Sequence, residues 1–208
     1  MFRRLLVGGA FAALAIALIA GCGGDDDADE AAVETDGAFI VEMTAHHESA
    51  IEMAEIAEER AQRPQIRELA TDIIATQSEE IDELEALHQA LFAEPVAEGD
   101  HGTLGLEPHE AGMEMDAREL ESAKPFERAF IDMMVPHHQG AIRMARVQLD
   151  KGQNPQIHDL AQAIIDAQSR EIEAMNAWRE RWYGAPSPAG GIPPEGEEEA
   201  PAHETMGH

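Results

Sequence analysis

Met43-Thr44-Ala45-His46-His47-Glu48-Ser49-Ala50-Ile51-Glu52-Met53-Ala54 recurs 91 residues later as Met134-Val135-Pro136-His137-His138-Gln139-Gly140-Ala141-Ile142-Arg143-Met144-Ala145. The match extends in both directions without a gap. Phe39-Ile40 falls on Phe130-Ile131, and Pro64-Gln65-Ile66 on Pro155-Gln156-Ile157. Ile73-Ile74, Gln77-Ser78 and Ile81 fall on Ile164-Ile165, Gln168-Ser169 and Ile172. About half of the aligned positions between 39 and 81 are identical, so the chain contains a duplicated unit.

Each unit reads as a helical hairpin. In the first, Phe39, Met43, Ile51, Ala54 and then Ile66, Leu69, Ile73, Leu84, Leu87 and Leu91 recur at helical rather than strand spacing. Pro64 and Pro155 stand where a second helix begins, a position that tolerates proline. Asn154 is a suitable cap before Pro155, and Gly152 a suitable stop for the preceding helix. The spacing predicts helices near 37–61, 64–92, 125–151 and 155–183. Two hairpins bury four apolar stripes most economically as an all-α four-helix bundle. The connection over 93–124 is long for a compact domain. Run along the bundle, it sets the second helix parallel to the third, the long crossover of ferritin-like folds. Pro136 admits two readings. It kinks the third helix and deprives the Asp132 carbonyl of its donor, or it starts a helix after a separate short one over 126–135.

Outside the repeat, Arg3-Arg4, the apolar run Leu5–Ala20 and Ile19-Ala20-Gly21-Cys22 resemble a bacterial lipoprotein signal. Residues 1–21 are therefore expected to be a signal peptide with a lipobox, and Cys22 to be lipidated. Cys22 is the only cysteine, so the chain can form no internal disulfide and lipidation consumes its one thiol. Any metal site is left with His, Met, carboxylate or backbone oxygen. Residues 22–36 read as an acidic flexible tether, 37–183 as the bundle domain, and 184–208 as a disordered Pro/Gly/Glu-rich tail.

The chain carries 14 Lys and Arg against 42 Asp and Glu, a net charge of −28. Loss of Arg3 and Arg4 with the signal leaves 12 against 42, or −30. That balance argues against nucleic acid as a partner. It suits a solvated acidic coat that also raises the local cation concentration.

The residues that carry chemistry are Met43, His46, His47 and Met53, and their mates Met134, His137, His138 and Met144. Helical residues three and four apart share a face, so each unit shows imidazoles flanked by thioethers. Both His pairs fall near mid-helix, where two helices approach each other in either relative direction. Imidazole with thioether favours copper as Cu(I) or Cu(II), with silver as a mimic and zinc less suited. Core packing is the competing role for the four methionines. His101, His109, Met113, Met115, His203, Met206 and His208 lie in expected loops and are candidates for accessory metal ligands. Gln77 and Gln168 are candidates to hydrogen-bond the imidazoles, or polar residues kept by duplication alone. His88 and His158 are expected at the surface.

The motif Met-x-x-His-His-x-x-Ala-Ile-x-Met-Ala, with Gln-x-x-Glu-Ile at 77–81 and 168–172, resembles the bacterial domain-of-unknown-function family 305. That family is classed as ferritin-like and includes CopM-type periplasmic copper-binding proteins. The resemblance spans 37–183. It implies a four-helix bundle and suggests copper binding, sequestration or resistance in the cell envelope through the eight motif residues.

Two other functions compete with an envelope metal-binding protein. A ferritin-like metal-dependent oxidoreductase asks for a Glu-x-x-His element on each of two helices. Glu85-x-x-His88 supplies one, but its repeat mate is Asn176-x-x-Arg179, so a non-enzymatic protein is expected. A surface interaction lipoprotein with structural histidines leaves the duplicated His pairs unexplained. The expected partners are a metal ion and, through Cys22, a membrane outside the cytoplasm; further copies of the chain are compatible.

Overall fold

The computed structural model describes residues 25–92 and 104–195. The expected signal, Cys22 and the accessory candidates His101, His203, Met206 and His208 lie outside the described residues. Four long helices dominate: α1 (Asp25–Arg60), α2 (Pro64–Phe92), α3 (Phe126–Lys151) and α4 (Pro155–Tyr183). No described helix is long and apolar enough to cross a membrane.

α1 packs chiefly on α2 and α3 on α4, while α1 against α3 forms the central contact between hairpins. These two helices run antiparallel. The Arg60 guanidinium at the end of α1 lies 5.0 Å over the ring of Phe126 at the start of α3. At the opposite end, Asp36 Oδ1 accepts from Gln148 Nε2 at 2.6 Å near the end of α3. α2 and α3 are consequently parallel, and the connection between them travels the length of the bundle, as the ferritin-like crossover requires. Its described part begins where Glu42 Oε1 accepts from the Leu104 amide at 3.2 Å. It continues through a 3-10 helix (Ala117–Glu121), where Arg60 donates to the Leu120 carbonyl.

The two hairpins close each other's turns. Asp36 Oδ1 accepts from the amide of Gln153 at 3.2 Å, and Asp36 Oδ2 from that of Asn154 at 3.0 Å, in the α3–α4 turn. Glu127 Oε1 accepts from the amides of Gln62 and Arg63, at 2.8 and 3.2 Å, in the α1–α2 turn. All six positions are repeat mates, so the bundle has an internal two-fold relation. Both carboxylates are buried and both satisfy amides that a helix start would otherwise leave bare. Asn154 caps α4 as expected, accepting from Gln156 and Ile157 amides, and Gly152 ends α3.

Three expectations change. α1 starts at Asp25, so 25–36 is helix where a flexible tether was expected. Ala28, Ala31 and Ala32 favour helix, and Asp36 is anchored to the far hairpin. Of the tail expected over 184–208, residues 196–208 lie outside the described residues, while 184–195 form a strap along α3 and α4. Gln139 Nε2 donates to the carbonyls of Ala189 and Gly191, and Arg146 Nη1 to those of Pro193 and Pro194. Arg179 Nη1 holds those of Ala185 and Pro186, and Asn176 Nδ2 that of Gly190. His88, expected at the surface, is buried and packs 5.0 Å from the Phe92 ring. α3 runs unbroken through Pro136, which excludes the separate short helix over 126–135.

Candidate metal centre

Met43, His46, His47, Met53, Met134, His137, His138 and Met144 are all buried, none exposing more than 1% of its surface. The four histidines form a polar layer between two apolar clusters. Met43 and Met144 belong to one cluster and Met53 and Met134 to the other, as antiparallel α1 and α3 dictate.

The two histidines of each pair do different things, because neighbours on a helix diverge by ~100°. The first of each pair turns toward the other hairpin. The His46 and His137 rings stack with centroids 3.7 Å apart. His46 Nε2 donates to the His137 carbonyl at 3.0 Å. The second of each pair turns to its own hairpin. His47 Nε2 stands 2.8 Å from Glu80 Oε2, and His138 Nε2 stands 2.6 Å from Glu171 Oε2. Glu80 and Glu171 are repeat mates, about four-fifths buried. They orient their imidazoles and leave the opposite ring nitrogens turned elsewhere.

Those remaining nitrogens make no hydrogen bond of good geometry among the described residues, although the Ala111 carbonyl lies close to the His46 ring. His46 Nδ1, His47 Nδ1, His138 Nδ1 and both nitrogens of His137 are buried and unbonded. A buried polar group left unpaired costs ~1–3 kcal/mol. Burial, followed by the neighbouring His47 and His138, pushes the pKa of His46 well below the usual imidazole value; the carbonyls of His137 and Ala111 oppose this. Burial, then His46, His138 and His47, does the same to His137. Both first-position imidazoles are thus held neutral, the form that donates a lone pair to a metal.

No group of three or more His, Cys, Asp or Glu side chains is gathered as metal ligands among the described residues. That holds for the four histidines of the layer as well, which are not gathered around one point as they stand. Imidazole lone pairs with thioethers on either side suit a soft monovalent ion better. Gln77 and Gln168 lie one helical turn before Glu80 and Glu171, buried, with Gln77 Oε1 and both polar atoms of Gln168 unbonded. No hydrogen bond joins either to an imidazole, so their expected role there is not seen.

The crossover covers this layer closely. A Cβ on Gly140 would collide with the Ala111 carbonyl, and one on Gly112 (φ +71°) with the backbone of Pro136 and His137. Of the accessory candidates, His109 is exposed, Met113 packs on the cluster holding Met43, and Met115 lines a separate surface pocket. None of these joins the His layer.

Duplicated helical hairpins, a central layer of paired histidines and a crossover along the bundle define the class: an all-α bundle with a buried imidazole–thioether core. The pattern of the family described as "Domain of unknown function (DUF305)" matches residues 36–179 and 127–208, and the chain belongs to that family. Among solved structures, CopM in its Cu(I)-bound form is 38% identical over 72% of this chain and 98% of its own, with a TM-score of 0.62. CopM in its Cu(II)-bound form is 38% identical over 71% and 97%, also with a TM-score of 0.62. A DUF305 protein of Streptomyces coelicolor, described as secreted, is 26% identical over 75% and 98%, with a TM-score of 0.67. No curated protein matches the chain.

Proposed function

We propose that the chain is an envelope copper-binding protein that holds Cu(I) in the His layer and acts in sequestration or resistance. The observation that carries this is the set of buried imidazole nitrogens without a hydrogen bond, on His46, His47, His137 and His138, between two thioether-bearing clusters. Such a set is costly in a purely structural core and is relieved when lone pairs are donated to a metal. His46 and His137, stacked and neutral, are the inner ligands; Met43, Met53, Met134 and Met144 supply soft sulfur around them. Glu80 and Glu171 fix the orientation of His47 and His138. The identity with CopM, solved with Cu(I), Cu(II) and silver, supports the same cargo here. Silver serves as the mimic of Cu(I), and zinc is the poorer fit.

The role we infer is binding rather than catalysis. Asn176 and Arg179 replace the second Glu-x-x-His element, and both are committed to the strap. Lipidation of Cys22 would hold the protein outside the cytoplasm on a membrane.

The test is competitive titration of the chain carrying Cys22→Ser with Cu(I), Cu(II) and Zn(II). The comparison is a variant with Ala at His46, His47, His137 and His138, checked for helicity. Loss of tight Cu(I) binding is expected. Unchanged Cu(I) affinity in the folded variant refutes the assignment.

A further inference from the structure

The His layer has no exposed ligand, so an ion must reach it from somewhere. A pocket of about 380 Å³ opens between the crossover and α3, lined in part by Met115, Met133, Glu119, Asp132 and Pro136. Two methionines, one from each element, line it, and both are partly buried. Neither is explained by the repeat. Met133 replaces Glu42 of the first unit, and Met115 lies in the crossover, which has no counterpart. Of the other α3 residues in this wall, Asp132 stands where the first unit has Val41 and Pro136 where it has Ala45, while Ala129 matches Ala38. The two units thus differ at three of the four α3 positions that line this pocket, while their His pairs are the same.

The changes agree chemically. Pro136 has no N–H for the Asp132 carbonyl, four residues earlier, and leaves that oxygen without its helical donor. Glu119 adds negative charge at the wall, which draws cations toward the thioethers. The carboxylate of Asp132 is itself engaged, 2.5 Å from Arg179 Nε, so it does not turn the pocket into a hard-ion site. Thioether sulfur selects soft ions. The wall adjoins the layer: Met133 packs on the cluster that contains Met134 and Met53, and Pro136 directly precedes His137.

We propose that Met115 and Met133 form a second, solvent-facing thioether site that takes a soft monovalent metal ion first and passes it to the His layer. This rests on the copper reading above.

The experiment adds Ag(I) stepwise to the chain with Cys22→Ser and 13C-methyl-labelled methionine, reading each methyl signal and the imidazole signals of the His layer. The Met115 and Met133 methyls should shift, and should still shift when the four histidines are alanine. In Met115→Leu/Met133→Leu, a nearly volume-conserving change, one bound equivalent should be lost. Uptake by the His layer should slow several-fold in that variant, while its final affinity stays unchanged. Unshifted Met115 and Met133 methyls with a normally loaded His layer overturn this site alone. Shifted methyls with an unchanged uptake rate overturn the transfer. Silver that moves neither set of signals overturns both this site and the copper reading.

Discussion

Acidifying the metal-free protein probes the neutrality of His46 and His137. Both have pKa values pushed well below 6.5, chiefly by burial. The sign follows from proton counts. Below roughly pH 6.5 an unfolded imidazole holds a proton that the folded one refuses, so falling pH favours unfolding. Each such group lowers stability by up to about 1.4 kcal/mol per pH unit, and the pair by at most about twice that, until the folded values are reached. Between the unfolded value and the two folded values the loss grows with every step of acidification, against an ordinary domain's stability of roughly 5–15 kcal/mol. Urea unfolding with a chelator present, at steps from pH 7.5 to 5, measures the slope. His46→Leu should remove about half of the slope and, at low pH, be less sensitive to acid than the parent. Flat stability across this range, or the same slope in His46→Leu, would show that the two rings are not held neutral by burial.

Three other outcomes are expected. Gly140→Ala drives a Cβ into the Ala111 carbonyl and should cost about 1–3 kcal/mol by urea unfolding. It should also speed hydrogen exchange of the Gly112 amide as the crossover lifts. Asp36→Ala strips acceptors from Gln148, Gln153 and Asn154 and should cost about 1.5–3 kcal/mol, with Glu127→Ala weakening the opposite turn similarly. Arg179→Met leaves Asp132 without its main cation and frees the carbonyls of Ala185 and Pro186. Because Asp132 is about a quarter exposed, the loss should be about 2–3 kcal/mol, and limited proteolysis should find new cuts within 185–195.

The helices were legible because the repeat states each of them twice and because Pro64, Pro155, Asn154 and Gly152 mark their ends. The convergence of the His pairs followed from their mid-helix positions alone. Which imidazole faces which neighbour did not, since that depends on how α1 is rotated against α3. Glu80 and Glu171 stood in the Gln-x-x-Glu-Ile motif, and the signal was their identity in both units. A solvated glutamate on an amphipathic helix looks the same until the opposing histidine is placed. The stretch 25–36 read as a tether because its acidic run and Gly37 carry no apolar period. What orders it is Asp36 reaching residues 148–154, a contact more than 110 positions away. The strap was illegible for a similar reason. Its carbonyls are held by Gln139, Arg146, Asn176 and Arg179, scattered over two helices, and no local pattern records such donors.

The reciprocal caps of Asp36 and Glu127 say something about what a lone hairpin could be. One hairpin cannot close its own turn or stack its own first histidine; each needs a second hairpin to do so. Two identical copies would satisfy both needs through the same surface on each, as an isologous pair about a two-fold axis. Joining them in one chain removes the demand that both halves stay alike. A substitution in a symmetric dimer is made twice, on both sides of the axis. In the fused chain it is made once, and this freedom lets the halves differ at Pro136, Met133 and the donors of the strap while the histidines near the axis are matched.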